Sequence, residues 1–262
     1  MLLLIASLGT ASADPSERSN RVRAWNLAPF AAGGAFYLVL ELGLKDALMA
    51  EECRWCRANA FDARLRHAGK WDNVERAASI SNATGYFGSP AFAIGTLLLS
   101  SIDNPDARRS FDDAIPVMQA AVVTGILNQA SKLLFVRRRP YAEFKGRATR
   151  GKNDVNASFF SGHTSLAFTM VASAGTVATL RDYKTAPVIW IGGGLIALTT
   201  GYLRIAADAH YATDVITGAA IGSIVGVAIP LLFHQEVLTD EEGVARTRSD
   251  RTFMLSLGSW RF

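Results

Sequence analysis

His210 and Asp214 stand four residues apart in the segment Leu203-Arg204-Ile205-Ala206-Ala207-Asp208-Ala209-His210-Tyr211-Ala212-Thr213-Asp214. On a helix that spacing puts both side chains on one face, where the carboxylate accepts a hydrogen bond from one imidazole nitrogen. The tautomer is then fixed, and the other nitrogen keeps a lone pair able to attack an electrophile. A second histidine, His163, lies in Phe160-Ser161-Gly162-His163-Thr164-Ser165 and has no acid at that spacing. It is freer to stay protonated, which suits a general acid. Lys132 and Arg139, from Lys132-Leu133-Leu134-Phe135-Val136-Arg137-Arg138-Arg139-Pro140, add two cations and Arg204 a third. Phosphoryl transfer needs fixed cations and N–H donors around negative charge spread over equatorial oxygens, and Ser161 and the Gly162 amide are suitable donors. Arg139 and Arg204 matter for their bidentate fork. Nucleophile His210, orienting partner Asp214, acid His163 and a cradle of Lys132, Arg139, Ser161, Gly162 and Arg204 form one chemical set.

Each piece alone has a plainer reading. A basic cluster at a helix end commonly snorkels to a membrane surface, and Lys132 could be part of it. Arg137 is not one of the cradle residues, so Arg137→Lys is expected to be nearly silent. A His and Asp pair can be a surface hydrogen bond, and His67 and His234 have such ordinary surroundings. The ordered combination carries the functional reading.

The elements that must position these residues are apolar. Stretches almost free of charge cover 77–102, 114–131, 155–180, 185–203 and 215–233, each about the ~20 residues needed to cross a ~30 Å hydrocarbon core. Their Gly, Ala, Ser and Thr content suits close helix packing in a membrane. A sixth stretch, 24–44, is interrupted by Glu41. The expected fold is therefore all-α, a membrane-embedded bundle of five or six transmembrane helices. With five main spans, the end of the second, the start of the third and the loop between the fourth and fifth share one side, so the three segments can meet. Half of the 262 residues are hydrophobic and the mean hydropathy is +0.18, more apolar than an ordinary soluble domain. The net charge of +4 comes from basic residues scattered between apolar runs, so nucleic acid is not an expected partner.

Residues 1–13 are apolar and end Ala11-Ser12-Ala13, the small-x-small pattern of a signal-peptidase site, although a basic start is lacking; an uncleaved leader is the alternative. Residues 14–76 hold the 24–44 stretch and a CxxC loop, 77–234 the helical bundle, and 235–262 a tail. Cys53 and Cys56 are the only cysteines. Zinc wants four ligands, and in an exported segment a local disulfide is expected. The positive-inside rule would put the basic segments 45–76 and 132–152 in the cytoplasm. A leader would export the first, and the charges of the second answer to chemistry, so the site is expected to face the periplasm of a bacterial-type inner membrane.

These segments resemble the three signature motifs of the type-2 phosphatidic acid phosphatase superfamily, which also contains class A acid phosphatases and vanadium haloperoxidases. Lys, six residues, Arg-Pro is matched by Lys132 to Pro140. Ser-Gly-His is matched by Ser161 to His163, with Phe160 where the family has Pro. The third pattern is matched at Arg204, His210 and Asp214, with Leu203 where the family has Ser. The resemblance covers 77–233. It implies a phosphohistidine on His210, a leaving group protonated by His163, and no metal or other cofactor. The implied partners are a lipid phosphate or diphosphate substrate and the bilayer. A broad-specificity periplasmic acid phosphatase and a non-catalytic anion-binding membrane protein are the competing readings.

Overall fold

The computed structural model describes residues 28, 30–100, 107–145 and 154–240. Helix α1 (Phe30–Val39) continues through a π turn at Leu40–Leu44 into Lys45–Leu48. A tight turn follows in which the Cys53 and Cys56 sulfurs are bonded, with Cα atoms 5.3 Å apart. Helix α2 (Ala60–Gly69) starts at Asn59, whose side chain accepts from the Asp62 amide at 2.8 Å and satisfies an N–H that the first turn leaves open. Asn73 caps α3 (Val74–Asn82) in the same way. A π turn over Ala83–Gly88 joins α3 to α4 (Ser89–Ser100). Pro90 has no N–H to continue an α ladder, and the wider turn just before it absorbs that loss.

Helix α5 (Ala107–Phe135) ends where Val136 takes a φ of 42°, a strained value for a β-branched residue, and the chain straightens. Helix α6 (Pro140–Lys145) opens on a proline whose missing N–H is harmless at that position. Helices α7 (Gly162–Leu180), α8 (Ala186–Ala206) and α9 (Ala212–Asp240) complete the bundle. No strand occurs among the described residues; a single parallel bridge joins Trp55 and Arg137.

Helix α7 is the axis, with α4, α5, α8 and α9 packed around it. Ala93, Leu97, Val117, Met170, Ala174, Val177 and Ile189 form one buried apolar cluster between α4, α5, α7 and α8. The hydroxyls of Thr169, Ser173, Thr176 and Thr179 each donate to the carbonyl four residues back at 2.7 Å, so a Ser/Thr-rich helix can be buried without orphaned polar groups. Gly218, Gly222 and Gly226 line the face of α9 against α7. A Cβ at Gly218 would come within 2.7 Å of the Ser161 carbonyl oxygen, and one at Gly222 would overlap that of Ser165. This is the small-residue contact expected of close-packed helices.

Among the described residues, two helices are long and apolar enough to cross a bilayer: Ala186–Ala206, with mean hydropathy 1.4, and Ala212–Leu232, with 2.2. Ile191, Leu195, Leu198, Ile224 and Leu232 are exposed on the outer faces of these two helices. The apolar stretch 155–180 is α-helical only from Gly162: a 3-10 turn covers Asp154–Asn156, and the backbone of Val155 and of 158–161 is bonded to neighbouring segments of the site. The 1–13 leader and the tail beyond residue 240 lie outside the described residues.

Candidate active site

Five element ends converge at one end of the bundle: the C-termini of α5 and α8, the N-termini of α7 and α9, and the α3–π junction. Helix α2 covers them. Asn128 and Ser131, on the last turns of α5, hold the entry to α7: Asn128 donates to the Phe160 carbonyl at 2.7 Å, and Ser131 donates to that of Phe159 at 3.0 Å. Gly162 has no Cβ because one would meet Asn128 Oδ1 at 2.8 Å. Ser161 makes no side-chain cap; its hydroxyl pairs with Thr164 at 2.8 Å, and its amide donates to the Asp214 carbonyl at 3.1 Å. The Ser161 side chain therefore caps none of the first-turn amides of α7, Gly162's among them.

His210 is 2% exposed and lies in the turn before α9, not on the helix that the spacing suggested. Its Nδ1 is 2.8 Å from the Ser158 carbonyl oxygen and 3.7 Å from Asp214 Oδ2. A carbonyl can only accept, so Nδ1 carries the proton and Nε2 the lone pair. The carboxylate therefore does not make the direct bond anticipated from sequence; it acts one step removed. Asp214 Oδ2 accepts from the Ser158 hydroxyl at 2.6 Å and the Tyr211 amide at 2.9 Å. Nε2 lies 3.2 Å from Arg139 Nη1. Burial holds His210 well below the usual histidine range, and the positive charges of Arg139, Arg204, His163 and Lys132 add to the effect. The imidazole is thus neutral.

Arg139 is oriented by Asp154, donating from Nε to its carbonyl at 2.9 Å and from Nη2 to its carboxylate at 3.1 Å. Arg204, 4% exposed, donates from Nη1 to Ser81 at 3.0 Å and to Asn82 Oδ1 at 3.4 Å. His163 is half-buried, with Nε2 2.8 Å from the same Asn82 oxygen and the Tyr86 ring 4.1 Å from its own. Gly85 permits that approach, since a Cβ there would meet His163 at 3.3 Å. Lys132 is 8% exposed and, with Gly162, lines a cavity of about 430 Å³ that also takes in Tyr37, Glu41, Tyr86 and Val122. All eight sequence candidates lie at this one end of the bundle.

Sequence reasoning missed Ser158, Asn82, Asp62 and Arg137. Arg137 is the largest departure: it is 1% exposed rather than snorkelling, and it donates to both Asp62 (2.6 Å) and Asp214 (2.5 Å). The expected silence of Arg137→Lys is withdrawn on that geometry. Because the chain is extended after the left-handed turn at Val136, Arg137 and Arg139 are set two apart on an extended segment, a period that a continuing helix would not give. Nothing in the spacing flags Asn82, which lies 81 residues from His163.

The family model described as the PAP2 superfamily matches residues 114–237. A lipid A 1-phosphatase of Porphyromonas gingivalis is 35% identical over 106 residues, covering 40% of this chain. The chain spans about a fifth of that relative's length, 20%. The crystal structure of Aquifex aeolicus LpxE aligns with a TM-score of 0.45 at 23% identity, over 65% of this chain and 95% of that one.

Proposed function

We propose that this chain is a membrane phosphatase that removes a phosphoryl group from a lipid-like phosphomonoester or diphosphate. The observation that carries the reading is the neutral, Nδ1-protonated His210, whose Nε2 lone pair lies against the Arg139 guanidinium. His210 Nε2 attacks phosphorus, the bond from phosphorus to the leaving oxygen breaks, and that oxygen takes a proton from His163. Lys132, Arg139, Arg204 and the Gly162 amide hold the equatorial oxygens. Water then attacks the phosphohistidine, and His163, now the base, recovers its proton.

Substrate class follows from place. The reacting end of the bundle meets an apolar outer surface, which favours a phosphate whose tail stays in lipid. The Porphyromonas gingivalis relative makes a phosphorylated glycolipid the first compound to try. The remaining expected spans are assigned to α1, the continuous run from α3 to α4, α5 and α7, with the site on the periplasmic face. No metal takes part in this scheme.

The test is phosphate release by the full chain in detergent, with EDTA present, from lipid A, phosphatidic acid, phosphatidylglycerol phosphate, a polyprenyl diphosphate and p-nitrophenyl phosphate. Turnover of a lipid phosphate that is lost in His210→Ala is expected. Folded protein inactive on every compound would leave the non-catalytic anion-binding reading in its place.

A further inference from the structure

Residues 136–139 form none of the helices, yet their backbone is bonded on both sides. Arg54 donates its amide to the Val136 carbonyl at 3.1 Å and Arg138 donates to that of Trp55 at 3.0 Å, so the disulfide-closed turn brackets Arg137. On the other side Ser158 donates to the Arg137 carbonyl at 3.0 Å, and Arg139 donates to that of Val155 at 2.8 Å. The Arg137 guanidinium lies between two aromatic rings, 3.7 Å from the Trp55 centroid and 4.3 Å from that of Tyr211. In the plane left open it meets Asp62, Thr213 and Asp214. Asp62, itself fully buried, also accepts from the Thr213 amide at 2.9 Å and hydroxyl at 2.8 Å, which fastens α2 to the first turn of α9.

Resting on the phosphatase reading above, we propose that Arg137 is a positioning residue for phosphoryl transfer, seated by Trp55 of the Cys53–Cys56 turn and by Asp62. By occupying Asp214 Oδ1 it leaves Oδ2 turned toward Ser158 and the His210 ring. The buried group of one guanidinium and two carboxylates keeps a net charge of minus one beside an imidazole that becomes cationic when its Nε2 bonds to phosphorus. Two carboxylates alone would repel; one paired with Arg137 would offer no balance. A lysine cannot span two carboxylates while lying flat between two rings. The disulfide turn, outside all three motifs, thereby belongs to the reacting end of the molecule.

The experiment compares full-length wild type, Arg137→Lys, Arg137→Ala, Trp55→Leu and a Cys53→Ser/Cys56→Ser double variant, all in detergent, on a compound the wild type hydrolyses. Turnover, KM and melting temperature are measured. Arg137→Lys should lose about tenfold to a hundredfold in kcat with KM nearly unchanged, since the lost bonds are charge-assisted and lie away from the substrate. Trp55→Leu and the cysteine double variant should move kcat the same way by less. Millimolar methylguanidinium should restore part of the kcat of Arg137→Ala, and methylammonium should not. If kcat per folded molecule is intact while only the melting temperature falls, Arg137 is a structural tie and the proposal fails; a rise in KM alone overturns it too. Should the Arg137 variants not accumulate, Trp55→Leu decides: an unchanged kcat there is equally fatal. Inactive wild type would instead count against the phosphatase reading.

Discussion

Ser158 touches both members of the His210 and Asp214 pair: its carbonyl accepts Nδ1–H of His210 at 2.8 Å, and its hydroxyl donates to Asp214 Oδ2 at 2.6 Å. The carboxylate thus steers the ring through a third residue. Ser158→Ala removes the hydroxyl but keeps the carbonyl, so the tautomer survives. Its kcat should fall by about tenfold or less, the worth of one hydrogen bond. Asp214→Asn loses a charge as well as an acceptor and should fall further. Equal losses in the two variants would mean that Asp214 acts only through Ser158.

The two proposed phosphate-facing arginines differ in what holds them. Arg139 donates to the Asp154 carboxylate and carbonyl and to the Ala209 carbonyl, while the partners of Arg204 include the oxygens of Ser81 and Asn82. Arg139→Lys and Arg204→Lys keep the charge and lose the fork, so each should cut kcat/KM by about tenfold or more. Asp154→Asn should weaken turnover through Arg139. An Asp154→Asn, Arg139→Lys double variant no worse than Arg139→Lys is the expected result; simple multiplication of the two losses would contradict it.

How much of this was legible beforehand follows from range. The helices show in charge-free stretches, because burial or lipid removes charge over whole turns. The three motifs show because each is local. The partners that orient them do not, since Asp62 meets Arg137 across 75 residues and Asn82 meets Arg204 across 122. The end of α5 at Phe135 was also hidden: no glycine marks it, and Val136 takes its left-handed turn against preference because backbone bonds on both sides hold it. That one turn decides whether Arg137 faces lipid or Asp214.

Packing gives a stability test. Gly222→Ala would drive a Cβ onto the Ser165 carbonyl at the α7–α9 contact and should cost about 1–3 kcal/mol, read as a lower melting temperature in detergent. Gly95, on α4, has nothing within 4 Å of the added carbon. Gly95→Ala should instead gain about 0.5–1 kcal/mol from lost chain entropy. Like responses at the two positions would contradict the packing of α9 on α7.

Sidedness can be read without activity. Glu51 is exposed near the site end, and Lys184 is exposed at the far end of α7. In a Cys53→Ser/Cys56→Ser background, Glu51→Cys should react with an impermeant maleimide in intact spheroplasts, and Lys184→Cys only after lysis. The opposite pattern would place the site in the cytoplasm, as the basic residues alone suggested.

The depressed pKa of His210 has consequences of definite sign. In the unfolded chain a histidine titrates near about 6.5, whereas folded His210 stays neutral well below that. As pH falls from about 6.5 toward the folded value, only the unfolded state takes up this proton. Stability contributed by burying a neutral ring is complete above about 6.5 and lost progressively beneath it. His210→Gln should flatten that part of the stability curve from chemical denaturation between pH 7 and 5. Superimposable curves for the two proteins would argue against a depressed pKa.

The last prediction separates the histidines. His210→Ala should abolish both turnover and any acid-labile phosphoenzyme, because no acceptor for phosphorus remains. His163→Ala removes the proton donor and should cost about 10²–10⁴-fold with an alkyl leaving group. It should cost far less with p-nitrophenyl phosphate, whose departing oxygen needs little protonation. Asn82 extends the test, since its side-chain oxygen lies 2.8 Å from His163 Nε2 and 3.4 Å from Arg204 Nη1. As an acceptor it holds an N–H on that nitrogen, so in the proposed scheme Nδ1 is the nitrogen that serves the leaving group. Asn82→Leu should therefore repeat the leaving-group dependence of His163→Ala at smaller size and add a rise in KM from the loosened Arg204. Rates against leaving-group pKa for the three variants, with rapid acid quench to trap phosphoenzyme, measure all of this. A phosphoenzyme persisting in His210→Ala, or a loss in His163→Ala that is the same for every leaving group, would reverse the two roles.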